Sequence, residues 1–154
     1  MDIEKKNKWM RWGVVVLWMA VIFFFSAQDA TDSSAMSGGI VDQLMAMGEG
    51  LCQSLFGSAF AFPRDALTFL VRKAAHTSVY FVLAMLVWRC WEKAADLKNL
   101  KTLAICFLYA ASDELHQWFV PGRSAELRDV CIDTFGAALG LLALAAGRRI
   151  FNKE

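Results

Sequence analysis

Phe107-Leu-Tyr-Ala-Ala-Ser-Asp-Glu-Leu-His-Gln-Trp-Phe-Val-Pro-Gly-Arg-Ser124 is the stretch on which the reading of the chain turns. It begins inside a membrane-length apolar run and ends in a turn. Near the end of that run stand Asp113, Glu114, His116 and Gln117. A charged side chain in hydrocarbon costs roughly 2.5–3.5 kcal/mol on insertion scales. Several together are tolerated only where they face partners, water or a ligand. An intramembrane cluster of this kind is therefore a candidate functional site.

Composition supports the membrane setting. The 154 residues are 57% hydrophobic and 20% charged, with mean hydropathy +0.40. A soluble domain averages about 45–50% apolar residues. The net charge of +1 gives no case for nucleic acid as a partner. The charges instead punctuate long apolar stretches, as in a polytopic membrane protein.

Four spans are expected, at about 9–27, 71–91, 100–120 and 130–150. Each is about 20 residues, enough to cross a ~30 Å hydrocarbon core. The fold class is thus all-α: a four-transmembrane-helix bundle forming a single domain over 1–154, with an extracytoplasmic amphipathic segment between helices 1 and 2. Lys and Arg set the orientation. Eleven of the 16 lie in the N-terminus, the loop between spans two and three, and the C-terminus. The positive-inside rule then puts both termini in the cytoplasm and the polar cluster at the outer face.

The N-terminus has the basic start and apolar core of a signal peptide. Its apolar run is long and Trp-flanked, however, and Ser26-Ala27-Gln28 is a poor cleavage site, so a retained helix is expected. No lipidation box is present: there is no Gly at position 2 and no Cys near the C-terminus. Cys52, Cys90, Cys106 and Cys131 are scattered, without C-x-x-C spacing, and most read as buried small hydrophobes rather than a disulfide framework.

The outer loop, about 28–70, is the longest piece outside the spans. Residues 29–34 are polar and read as loop. Ile40, Val41, Leu44, Met45, Met47, Leu51, Leu55 and Phe56 are spaced for an amphipathic helix on the membrane surface, with Gly48 and Gly50 weakening its continuity. It reads either as a lid over the site or as a passive interfacial helix. Pro63 marks a break before span two.

Three stretches carry polar residues at one depth. On span two, Arg72 and His76 are four apart and share a face, with Lys73 about 100° away and Tyr80 one turn deeper. On span three, Asp113, Glu114, His116 and Gln117 cover an arc of roughly 160°. On span four, Asp129 and Asp133 begin a stripe that Gly136 and Gly140 continue. Such a small-xxx-small face lets a neighbouring helix approach, turning the acids toward the bundle interior. Between the last two spans, the Pro121-Gly122 turn offers Arg123 and Arg128, whose planar forks suit carboxylate or phosphate. Ser26 and Gln28, ending span one, lie within reach of the cluster.

Taken in order, Arg72-Lys73-x-x-His76, Asp113-Glu114-x-His116-Gln117, Pro121-Gly122-Arg123-Ser124 and Asp129-x-x-x-Asp133-x-x-Gly136 resemble the VanZ-like family. So does Phe25-Ser26-Ala27-Gln28, where the family often has Ser-Ser-Gln. The resemblance covers nearly the whole chain. It implies a bacterial envelope role in the cytoplasmic membrane and, by the family's namesake, low-level resistance to teicoplanin-type glycopeptides. It implies no accepted catalytic mechanism.

Three readings of the cluster stand open. In a binding reading, Arg72, Lys73, Gln117, Arg123, Ser124, Arg128, Asp129, Asp133, Ser26 and Gln28 hold a membrane lipid, a lipid-linked envelope precursor or a lipoglycopeptide. In a catalytic reading, Asp113, Glu114, His116 and His76 supply acid–base chemistry on a phosphate-bearing lipid. In a structural reading, arginines and acids simply fasten three helices as ion pairs, an arrangement that often only breaks even on stability. His76, His116 and the acids offer donors for zinc or manganese, but Asp-Glu-x-His is not the His-Glu-x-x-His spacing. No metal and no cofactor is expected.

Overall fold

A hub helix organises the molecule. The computed structural model describes residues 3–28, 30–57, 63–91, 97–123 and 125–151. These form α1 (Ile3–Ser26), α2 (Ala30–Phe56), α3 (Arg64–Cys90), α4 (Lys98–Gln117) and α5 (Leu127–Phe151). The all-α class holds: no strand occurs among the described residues. Helix α3 touches all four others.

Each core-forming helix buries one stripe at helical spacing. On α3 that stripe is Tyr80, Leu83, Ala84 and Val87. Helix α1 adds Val15 and Ile22, α4 adds Cys106 and Ala110, and α5 adds Val130 and Ala137. Polar ties cross between helices as well. The Trp18 indole donates to the Val79 carbonyl at 2.9 Å, and the Tyr109 hydroxyl to the Met19 carbonyl at 2.6 Å. Helix α1 is thus built into the core.

The inward stripe of α4 changes character along its length. It runs Thr102, Cys106, Ala110, then Asp113, Glu114 and Gln117, all buried. The face that packs apolar atoms at one end carries the acids at the other. Across from it, α5 approaches α3 through glycines. A Cβ on Gly136 would lie 2.9 Å from the Thr77 Cα, and one on Gly140 would lie 2.6 Å from the Phe81 carbonyl oxygen. Only hydrogen at both positions permits this backbone-to-backbone contact.

Three helices are long and apolar enough to cross a membrane: Lys6–Ser26, Arg64–Cys90 and Leu127–Ile150. The third expected span, about 100–120, falls on α4, whose Lys98, Lys101, Asp113 and Glu114 are too many charges for it to count among them. Large apolar side chains such as Leu17, Phe24, Leu108, Phe135 and Leu142 lie exposed around the bundle. Exposure on this scale, with three such helices, fits a membrane protein.

One expectation is corrected. Of residues 29–34, read as loop, 30–34 are the first turns of α2, and residue 29 lies outside the described residues. Ser, Thr and Asp are poor helix formers in mid-segment, which is why composition alone reads as loop here. Helix α2 then continues through Gly48 and Gly50 to Phe56, held to α3 by buried Val41 and by an ion pair between Asp42 and Arg64. Its other apolar residues, Leu44, Met47, Leu51 and Leu55, are exposed.

Helices α1 and α4 run opposite to α3 and α5. The C-terminal end of α1 therefore meets the N-terminal ends of α3 and α5 and the C-terminal end of α4. At the far end, the Arg11 guanidinium donates to the Arg89 carbonyl, and Trp88 lies between Lys98 and Arg148.

Candidate functional site

The polar residues gather where those four helix ends converge. Between α3 and α5 the two sequence stripes lie in register. Lys73 pairs with Asp129, His76 Nδ1 stands 3.7 Å from Asp133 Oδ1, and below them Thr77 and Phe81 meet Gly136 and Gly140. The glycines thus bring the two helices close enough for the acids of one to face the bases of the other.

On the opposite side, α4 and the turn after it close on α1. Gln117 Nε2 donates to Ser26 Oγ at 2.9 Å and lies 3.4 Å from Asp113 Oδ2. Arg123 Nη1 donates to the Ser26 carbonyl at 3.2 Å. Burial, and then the like charge of Arg72, press the Arg123 guanidinium below its ordinary value. Arg128 pairs with Glu126 at 2.6 Å and stands 4.0 Å from Asp129.

Two cavities meet at this cluster. The first, about 300 Å³, is largely apolar, with Ile22 and Phe25 of α1, Ile40 of α2, and Val71 and Val79 of α3 in its wall. Its polar lining is Ser26, Gln28, Ser37, Arg72, His76, Asp113 and Arg123. The second, about 370 Å³, is polar and includes Lys73, Gln117, Glu126, Arg128 and Asp129. Arg72 and Arg123 line both. Among the described residues Arg72 has no ion pair or hydrogen bond, and its charge acts against that of Arg123.

Two of the four catalytic candidates line neither cavity. Glu114 turns away and accepts the Glu126 backbone N–H at 2.9 Å, fastening the α4–α5 turn. The His116 ring stacks on Phe23, centroids 4.3 Å apart. Asp113 and His76 do line the apolar cavity. Asp133 lies behind His76, fully buried, and Ser124 falls outside the described residues. Among the described residues, no group of three or more His, Cys, Asp or Glu is placed to hold a metal ion.

Several buried polar atoms have no hydrogen-bond partner among the described residues: both oxygens of Asp133, Oδ1 of Asp113 and the Tyr80 hydroxyl. Each such group costs about 1–3 kcal/mol. A purely structural ion-pair network would satisfy them. Asp133→Asn is accordingly expected to leave the thermal midpoint in detergent unchanged or raise it by a few degrees, since it removes a desolvated charge without changing shape. A large drop in midpoint would mark the His76–Asp133 pair as a structural fastening.

Sequence reasoning did not find Ser37 and Ile40 as wall residues, nor Glu126 as a partner of Glu114 and Arg128. Ile40 was legible as part of an apolar stripe, but nothing local shows which neighbour that stripe meets. The Glu126 link is a loop contact that no periodicity encodes.

The family model described as VanZ/LLP1 matches residues 12–150, a range that holds every residue of the cluster. No curated protein and no solved structure matches the chain.

Proposed function

We propose, for a chain that belongs to the VanZ/LLP1 family, that the site holds the anionic headgroup of an amphiphile at the outer leaflet of the bacterial cytoplasmic membrane. Membership suggests an envelope protein of the teicoplanin-resistance kind. The observation that carries the binding reading is Arg72, a cation without a counter-ion among the described residues, set with Arg123 in the wall shared by an apolar cavity and a polar one. A planar guanidinium pair recognises phosphate or carboxylate bidentately. The apolar cavity beside it is of ligand-site size and accepts tail atoms. The ligand is a membrane lipid, a lipid-linked envelope precursor, or the acylated glycopeptide itself.

The topology follows from the same chemistry. Helix α4 completes four spans, because its acids face the bundle interior and leave an apolar lipid face. The distribution of Lys and Arg orients both termini to the cytoplasm and the cavities outward. The uncovered apolar face of α2 then rests on the outer membrane surface.

Binding of dioctanoyl phosphatidic acid and of the phosphatidylcholine with the same chains, to full-length protein in neutral detergent, tests this. Phosphatidic acid is expected to bind at least about tenfold more tightly, with affinity falling as salt rises. Equal binding of the two lipids would contradict the reading.

A further inference from the structure

Resting on that reading, we propose that the site is also a lipid-phosphate hydrolase, with His76 as general base and Asp113 as general acid. Two carboxylates stand against a site whose Arg72 calls for an anion. Asp113 lines the apolar cavity together with Arg72 and Arg123. Asp133, one helix away, is fully buried behind His76. For binding alone these acids are poorly placed: Asp113 favours the charged form of Arg123 but repels a bound anion, and Asp133 lines neither cavity. Groups that work against binding at a binding site have another task there.

Their arrangement fits proton transfer. His76 lies one turn below Arg72 on α3 and lines the same cavity. Its Nδ1 is turned toward Asp133 at 3.7 Å, which leaves Nε2 for the cavity. At 3.7 Å the Asp133 carboxylate acts through its charge, stabilising the cation that forms on the ring. Asp113 approaches from α4, with Oδ2 near the Gln117 amide and Oδ1 without a partner among the described residues. A phosphate held by Arg72 and Arg123 thus has a base on one helix and an acid on another.

The step balances without a further reactant than water. His76 Nε2 takes a proton from water as the water oxygen bonds to phosphorus. The bond between phosphorus and the lipid-side oxygen breaks, and that oxygen takes a proton from Asp113. The products are inorganic phosphate and the lipid alcohol, or the lipid monophosphate when the substrate is a diphosphate. The proton on His76 then returns to Asp113 through solvent. Asp133 is a positioning residue: it meets His76, not the reacting atoms.

The test uses full-length protein in neutral detergent with two probes, dioctanoyl phosphatidic acid and farnesyl diphosphate, reading released phosphate and, separately, binding. Wild type is expected to release phosphate. His76→Gln and Asp113→Asn are each expected to cut the rate by about 100-fold or more while binding persists. Asp133→Asn is expected to lower kcat with KM held, at an undiminished thermal midpoint; a merely structural residue would move the midpoint instead. Binding without phosphate release from either probe, or wild-type release by both His76→Gln and Asp113→Asn, would overturn hydrolysis and leave the binding reading standing. Failure to bind either probe would sink the binding reading and hydrolysis together.

Discussion

Gly136→Leu is expected to cause the largest loss of stability of any single change outside the cavities. The added side chain meets backbone, not a flexible side-chain tip. Even its Cβ would lie 2.9 Å from the Thr77 Cα and closer still to the Thr77 carbonyl. Neither atom can rotate away, so α3 and α5 must separate. Overpacking a filled interior costs typically about 1–3 kcal/mol, occasionally more. Here the upper end applies, because separation also breaks the register that sets Lys73 on Asp129 and His76 near Asp133. Gly140→Leu, blocked by the Phe81 carbonyl, is expected to act in the same direction. Gly13→Leu and Gly147→Leu are the controls, since neither position has a neighbour within 4 Å of an added Cβ. Thermal unfolding in detergent checks the set. Unchanged midpoints for both Gly136→Leu and Gly140→Leu would refute the close contact of α3 with α5.

Arg72→Gln is expected to produce the largest loss of binding without a loss of fold. The substitution shortens the side chain and removes the charge. A hydrogen bond to a charged group is worth about 1.5–3 kcal/mol, so the dissociation constant for phosphatidic acid should rise roughly 10- to 100-fold. Arg72 has no ion pair or hydrogen bond among the described residues, so its removal strands no acid and relieves repulsion with Arg123. The thermal midpoint should stay level or rise. Lys73→Gln makes the contrast: it leaves Asp129 with only the more distant Arg128 and should destabilise. A collapsed midpoint in Arg72→Gln would assign that residue to the scaffold, and an unchanged dissociation constant would remove it from the site.

The parts of the site that sequence reveals are those written as helical periods. Arg72 with His76, and Asp129 with Asp133, Gly136 and Gly140, share faces because helix geometry leaves no alternative. The small residues also announced a close neighbour, and α3 is that neighbour. Within the α4 arc the sequence could not divide the labour. Asp113, Glu114 and His116 lie within one span of arc, yet they face the apolar cavity, the α4–α5 turn and Phe23 respectively. Which neighbour each meets depends on the placement of α1 and the turn, and that is tertiary information. Only the start of helix α2 was hidden; the apolar spacing from Ile40 to Phe56 reads as helix. Its polar first turn reads as loop by composition, and its seat on α3 rests on a few contacts, Val41 and Asp42 among them. Helix α4, by contrast, was legible as the third expected span despite its charges, and the bundle packs it like the rest.

The central claim is that this chain grips an anionic amphiphile at Arg72. Native mass spectrometry of the protein extracted gently from its own membrane tests it most directly, because the membrane offers every lipid at once. The account predicts that wild type retains lipids with phosphate-bearing or other anionic headgroups and that Arg72→Gln, folded to the same degree, loses them. Retention of zwitterionic lipids alone, or the same bound lipids in both proteins, would contradict it.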